Sequence, residues 1–272
     1  MTAVPEPHEH GRIAAAFARA AAERRAALVV YLTAFDGGRD HSLACVRAAV
    51  DAGADIVELG VPFSDPSADG TVIQAAMVRA LAAGATAAGV LDLLGDLRVH
   101  TDVPVVLFGY ANPLLRLADA ELDLVARSRA AGLDGALVVD LPPEHAASLR
   151  DPWVAAGVDW IGLTAPTTTS ARRRLICAAA TGFVYAITLR GVTGSALQGA
   201  DEDALRDQMG ALRGETTLPV AAGFGVRTGD DVRRMAAIAD GVVVGSALVE
   251  AAHSGVAALG RAVGELRAAT GR

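Results

Sequence analysis

The chain contains no lysine: every one of its 24 basic residues is arginine. Imine chemistry through a lysine amine is therefore impossible, which excludes a Schiff-base aldolase and a pyridoxal phosphate internal aldimine. The Walker phosphate loop, which needs its lysine, falls with them. Cysteine is nearly absent too, and Cys45 and Cys177 stand alone in apolar, helix-like stretches. Neither a disulfide framework nor a C-x-x-C metal or redox motif can be assembled from them, and they read as buried structural thiols. The six histidines are scattered and no H-E-x-x-H occurs. His8 and His10 lie close together in a polar stretch without further ligands, so residues 1–10 read as a flexible tail and no metal is expected. Apolar runs are short: the segment 26–34 is interrupted by Tyr31 and Thr33, far below the roughly 18 residues a membrane helix needs. Positive charge is also scarce, with a net charge of −7 and no basic stripe, which argues against nucleic acid and against an anionic membrane surface. No secretory apolar segment is present and the acidic residues Glu6, Glu9 and Glu23 are unlike a transit peptide, so a cytoplasmic location is expected.

What the chain does have is 272 residues, 52% of them hydrophobic, enough for one large domain spanning 1–272 with a sizeable core. Short β-branched runs at 27–33, 55–60, 104–110, 135–140, 159–163, 183–189, 219–223 and 241–245 alternate with Ala/Leu/Arg segments at helical spacing. The helical segments include 41–52, 73–83, 119–131, 144–156, 170–180 and 230–238, and the stretch 11–27 adds a helix before the first strand. Eight strands with intervening helices predict an α/β fold, a (β/α)8 TIM barrel with an extra N-terminal helix. A Rossmann fold would require G-x-G-x-x-G after the first strand, where Phe35-Asp36-Gly37-Gly38 stands instead.

In such a barrel, chemistry belongs to the loops at the C-terminal ends of the strands. Glu58 is the odd residue of the second strand, Asp140 ends the fourth, and a polar loop runs from Gly60 to Gly70. A Glu58 carboxyl buried in the barrel mouth would have a raised pKa and could donate a proton near neutrality; a surface-seeking or ion-paired glutamate is the competing reading. Glycine-rich turns follow the sixth, seventh and eighth strands: Gly191-Val192-Thr193-Gly194, Gly223-Phe224-Gly225 and Gly245-Ser246. Turns after the last two strands commonly present backbone N–H groups to a phosphate, an anion site that needs no lysine.

The segment Glu58-Leu59-Gly60-Val61-Pro62-Phe63-Ser64-Asp65-Pro66, then Ala68-Asp69-Gly70 and the three later turns in this order, strongly resembles the tryptophan synthase alpha chain family. The likeness runs from about residue 27 to residue 250. It implies cofactor-independent retro-aldol cleavage of indole-3-glycerol phosphate to indole and glyceraldehyde 3-phosphate. By the same resemblance, Glu58 is the general acid/base, Asp69 accepts the indole N–H, and Thr193 bonds Asp69 when the loops close. Tyr110, Leu137, Leu163, Tyr185 and Phe224 would line the indole pocket, and Gly194, Gly225, Gly245 and Ser246 would hold the phosphate. Asp140-Leu141-Pro142 matches the turn that faces a β chain, implying an α2β2 partner; a stand-alone lyase and a weakly catalytic allosteric subunit are the alternatives. A sugar-phosphate isomerase on the same barrel ranks below these. The chain departs from the family pattern at Phe35, Thr71, Phe108, Val139 and Thr188-Leu189-Arg190.

Overall fold

A computed structural model describes residues 11–119, 124–188, 199–223 and 225–272. Its strands are β1 (Ala27–Thr33), β2 (Ile56–Gly60), β3 (Val105–Gly109), β4 (Gly135–Val138), β5 (Asp159–Trp160), β6 (Gly162–Thr164), β7 (Val184–Ile187), β8 (Val220–Gly223) and β9 (Gly241–Val244). All pairings are parallel, in the order β5-β4-β3-β2-β1-β9-β8-β7-β6. The two ends of this order are halves of one run of chain. Ile161 donates its N–H to Ala136 O at 2.9 Å on the β4 side, and Gly162 donates to Phe183 O at 3.2 Å on the β7 side. The sheet therefore closes on itself, and the run expected as a single fifth strand is divided where it changes neighbours. Beyond that point β4 and β6 part, and a cavity of about 260 Å³ opens between them, with Val139 and Leu163 on its lining.

Around the strands lie α1 (Arg12–Ala22), α2 (Arg39–Asp51), α3 (Thr71–Ala82), α4 (Ala87–Arg98), α5 (Ala111–Asp119), α6 (Leu124–Ala130), α7 (Ala147–Ala155), α8 (Ser170–Ala179), α9 (Gly199–Arg213), α10 (Gly229–Ala236), α11 (Ser246–His253) and α12 (Val256–Ala268). The strand period of two sorts the side chains. Leu28, Val30, Val57, Leu59, Val105 and Leu107 belong to the large cluster shared with the helices, whereas Val29, Ile56, Val106, Leu137, Phe183 and Val243 fill the barrel interior. Cys45 and Cys177 are both buried and unpaired. The expected helix at 144–156 begins only at Ala147, and part of the expected 119–131 falls on residues outside those described.

The extra helix has a structural task. Its buried stripe Ile13, Ala16, Phe17 and Ala20 joins the interior cluster, and the Phe17 and Phe183 rings lie 5.5 Å apart. Two glycines make room: a Cβ on Gly135 would come within 2.9 Å of Ile13 Cδ1, and one on Gly241 within 3.0 Å of Phe17 Cε1. α1 thus plugs the N-terminal end of the barrel. Arg12 fastens it by donating to Asp134 at 2.6 Å and to Gly132 O at 2.9 Å.

At this closed end, aspartates placed just before a strand accept a backbone N–H from the start of the neighbouring strand. Asp55 takes Leu28 N at 2.8 Å, Asp134 takes Val105 N at 2.7 Å, and Asp240 takes Val220 N at 3.0 Å. Each satisfies a backbone donor that the parallel ladder leaves over. Asp55 is balanced by a bidentate Arg25 at 2.5 and 2.7 Å. Charge at this end is thereby committed to architecture, and the opposite mouth is left for chemistry.

Candidate active site

β2 carries Ile56 into the barrel interior, so the period of two turns Glu58 and Gly60 inward above it, toward the C-terminal mouth. Glu58 is 1% exposed, and neither carboxylate oxygen has a hydrogen-bond partner among the described residues. An ionised carboxylate without donors is costly in such a place, and burial pushes the Glu58 carboxyl up to about 8. Burial therefore favours the protonated side chain near neutral pH. Of the two readings open from the strand alone, burial rules out a surface glutamate, and no ion pair to Glu58 forms among the described residues.

Asp69 lies on the loop between β2 and α3, and the local chain is pinned on several sides. Asp69 N donates to Pro66 O at 3.1 Å, and Gln74 of α3 donates its side-chain amide to Asp69 O at 2.8 Å. Tyr110, immediately after β3, donates its hydroxyl to Asp69 Oδ2 at 2.7 Å and accepts Ala68 N at 2.9 Å. One buried tyrosine thus holds both the carboxylate and its loop, with its ring 5.2 Å from Phe63. Asp69 is half-buried on this loop. Burial raises its pKa and the Tyr110 hydrogen bond opposes the rise. The two carboxyls differ in that Asp69 has a donor that favours its ionised form and Glu58 has none.

The other expected wall residues occupy the inner face of the barrel. Leu137 is fully buried in the interior cluster, with Leu163, Phe108 and Val139 packed against it. Tyr185 is 8% exposed, and its hydroxyl lies 3.0 Å from where a Cβ on Gly223 would stand. Burial, followed by the charges of Glu58 and Asp69, holds the Tyr185 hydroxyl well above its ordinary pKa. Phe224, Thr193 and Gly194 lie outside the described residues. Asp140, expected among the mouth carboxylates, accepts Ala111 N at 2.7 Å and so secures the start of α5.

Sequence reasoning passed over Tyr31. It faces inward as the register partner of Glu58 and is 3% exposed. Its ring meets Phe108 edge-on at 5.2 Å and packs with Ala76 of α3 and Val249 of α11. A Cβ on Gly60 would lie 2.3 Å from the Tyr31 hydroxyl, so glycine is required there. The available signal was a hydroxyl-bearing aromatic two residues after Val29 on the inner face of β1.

On the other side of β1 from Glu58, β9 runs through Gly245 directly into α11. The N–H groups of Leu248 and Val249 close on Gly245 O at 2.8 and 3.0 Å, and no side chain caps this helix. The first-turn N–H groups of Ser246 and Ala247 have no acceptor within the helix, and with the positive end of the helix dipole they suit an anion. Gly225, after β8, adopts φ +75°, a conformation that favours glycine.

Among the described residues no cluster of three or more His, Cys, Asp or Glu is placed to hold a metal, and no single helix is long and apolar enough to cross a membrane.

A closed eight-membered barrel with a buried glutamate of raised pKa and a hydrogen-bonded aspartate at its C-terminal mouth defines a class: a (β/α)8-barrel enzyme suited to acid–base chemistry. The family model for the tryptophan synthase alpha chain matches residues 17–270. The tryptophan synthase alpha chain of Gluconacetobacter diazotrophicus is 47% identical over 252 residues, covering 92% of this chain and 90% of that protein. The tryptophan synthase alpha chain of Alkalilimnicola ehrlichii is 46% identical, covering 90% and 91%. A solved structure of Mycobacterium tuberculosis tryptophan synthase superposes with a TM-score of 0.87 at 35% identity, covering 96% of this chain and 98% of that one. The chain belongs to the tryptophan synthase alpha chain family.

Proposed function

We propose that Glu58 and Asp69 carry the carbon–carbon lyase reaction of this family, the cleavage of indole-3-glycerol phosphate to indole and glyceraldehyde 3-phosphate. The observation that bears most weight is the buried Glu58 carboxyl facing the mouth, without a hydrogen-bond partner among the described residues. Its proton goes to indole C3, making an indoleninium-like cation. Asp69, with its ionised form supported by Tyr110, accepts a hydrogen bond from the ring N–H and stabilises the positive charge that develops there. The hydroxyl on the adjacent chain carbon then gives its proton to the Glu58 carboxylate. That carbon becomes the aldehyde carbon as the C–C bond breaks, and the bonding pair returns to the ring. Glu58 ends protonated, as it began.

The same reading assigns the phosphate to the first turn of α11, through Gly245 and Ser246, with Gly225 beside it and Gly194 as a fourth contact. Tyr110, Leu137, Leu163, Tyr185 and Phe224 enclose the ring, and Thr193 closes over Asp69 to exclude water. The partner that follows from this family's α chains is a β chain, with the turn at Asp140-Leu141-Pro142 toward it.

The test is steady-state indole release from indole-3-glycerol phosphate by the purified chain, alone and with a tryptophan synthase β chain. Slow release that rises sharply with the β chain supports an α subunit, and fast release without it supports a stand-alone lyase. No release under either condition refutes the assignment of Glu58 and Asp69 to this reaction.

A further inference from the structure

The order of the strands dictates the path of the substrate. The phosphate site proposed above lies at the end of β9, Glu58 lies on β2, and β1 is the one strand between them. A three-carbon chain joining a phosphate to an aryl ring must therefore cross the inner face of β1. At that level β1 presents Tyr31, which reaches toward both neighbouring strands. Its Cβ and Cδ1 lie 3.7 Å from where a Cβ on Gly245 would stand, and its hydroxyl sits over Gly60, two register positions beyond Glu58.

The hydroxyl is poorly served by the protein. Its one hydrogen-bond contact among the described residues is Thr33 Oγ1 at 3.4 Å, at the outer limit for such a bond. A buried tyrosine hydroxyl ordinarily finds a good partner, and a phenylalanine would fill the same packing against Phe108, Ala76 and Val249. Burial and then the nearby Asp69 charge keep the phenol protonated, so it is a donor.

Resting on the function proposed above, we propose that Tyr31 is a substrate-positioning residue whose hydroxyl donates to the chain hydroxyl oxygen next to the aryl carbon. This is the oxygen that gives its proton to Glu58 and becomes the aldehyde oxygen. Tyr31 would fix the C–O bond so that its proton faces Glu58, and would keep its hydrogen bond as the carbonyl forms.

The test is Tyr31→Phe, which removes one oxygen and keeps the ring. Two quantities are compared with the parent chain: kcat/KM for indole-3-glycerol phosphate, and Kd for indole-3-propanol phosphate, which keeps ring and phosphate but lacks both chain hydroxyls. The expected result is a loss of roughly tenfold in kcat/KM, the worth of a good hydrogen bond, with Kd for the propanol analogue within about twofold. Cleavage undiminished in the variant overturns the proposal. So does a parallel weakening of the analogue, which would make Tyr31 a packing residue only. A parent chain that does not cleave the substrate at all would remove the underlying reading, and the proposal with it.

Discussion

Substituting Glu58 with glutamine preserves the shape of the side chain and removes its ability to ionise, so its effect should depend on pH in a calculable way. Folding raises the carboxyl from its ordinary 4.5 to about 8 through burial alone. Between those values the unfolded chain has released the proton and the folded chain has kept it, so stability falls as pH rises through the window. At 1.36 kcal/mol per unit the full loss is roughly 5 kcal/mol, complete above the folded value and absent below the unfolded one. Glu58→Gln lacks this loss. Whatever fixed cost the buried amide brings, the variant's stability relative to the parent should climb by about 1.4 kcal/mol per pH unit from pH 5 to pH 8 and then level off. Urea unfolding of both proteins at pH 5, 6, 7, 8 and 9 measures the difference directly. Turnover of the variant should drop by roughly 10² or more at every pH, and the parent's kcat/KM should decline on the alkaline side near 8 as the proton donor is lost. Stability curves that stay parallel across the range would refute the burial argument, and near-parental turnover would refute the role.

Three further outcomes follow from other parts of the molecule. Tyr110→Phe removes the donor to Asp69, so kcat should fall about tenfold and the acidic limb of kcat/KM should move to higher pH, because the one cause opposing the burial of Asp69 is gone. An unmoved acidic limb would separate Asp69 from catalysis. Ser246→Asp places a carboxylate at the first position of α11, where the helix tolerates it electrostatically but a phosphate does not. KM for indole-3-glycerol phosphate should rise about tenfold or more with thermal stability retained, and an unchanged KM would move the phosphate elsewhere. Phe17→Ala takes the ring out of the barrel plug and should cost roughly 3–5 kcal/mol in urea unfolding. Turnover of the folded variant should be unchanged, since Phe17 and Glu58 lie toward opposite ends of the barrel.

Much of the architecture was readable because it is local. Each β-branched run must bury both faces, each Ala/Leu segment has a helical stripe, and their alternation leaves little besides a parallel barrel with helices outside. The α1 stripe Ile13, Ala16, Phe17 and Ala20 is legible in the same way, yet its place is not. Only the glycines at 135 and 241, from two distant strands, show that the helix enters the barrel. The division of β5 from β6 is likewise invisible in sequence, because Ile161 marks the place where one strand exchanges one neighbour for the other.

The candidate site divides along the same line. Residue types and spacing by themselves determined the family, the absence of lysine chemistry, and which two carboxyls and which glycine turns to examine. Tertiary structure alone raised the pKa of Glu58, through burial without a hydrogen-bond partner among the described residues. It also gave Tyr110 its hold on Asp69 across 41 residues, and brought Tyr31, Gly60 and Gly245 together from three strands. Covalent order encodes which groups the chain carries and how each segment pleats or coils. Solvation and hydrogen-bond partnership are properties of the space between segments, and that space exists only once the barrel has closed.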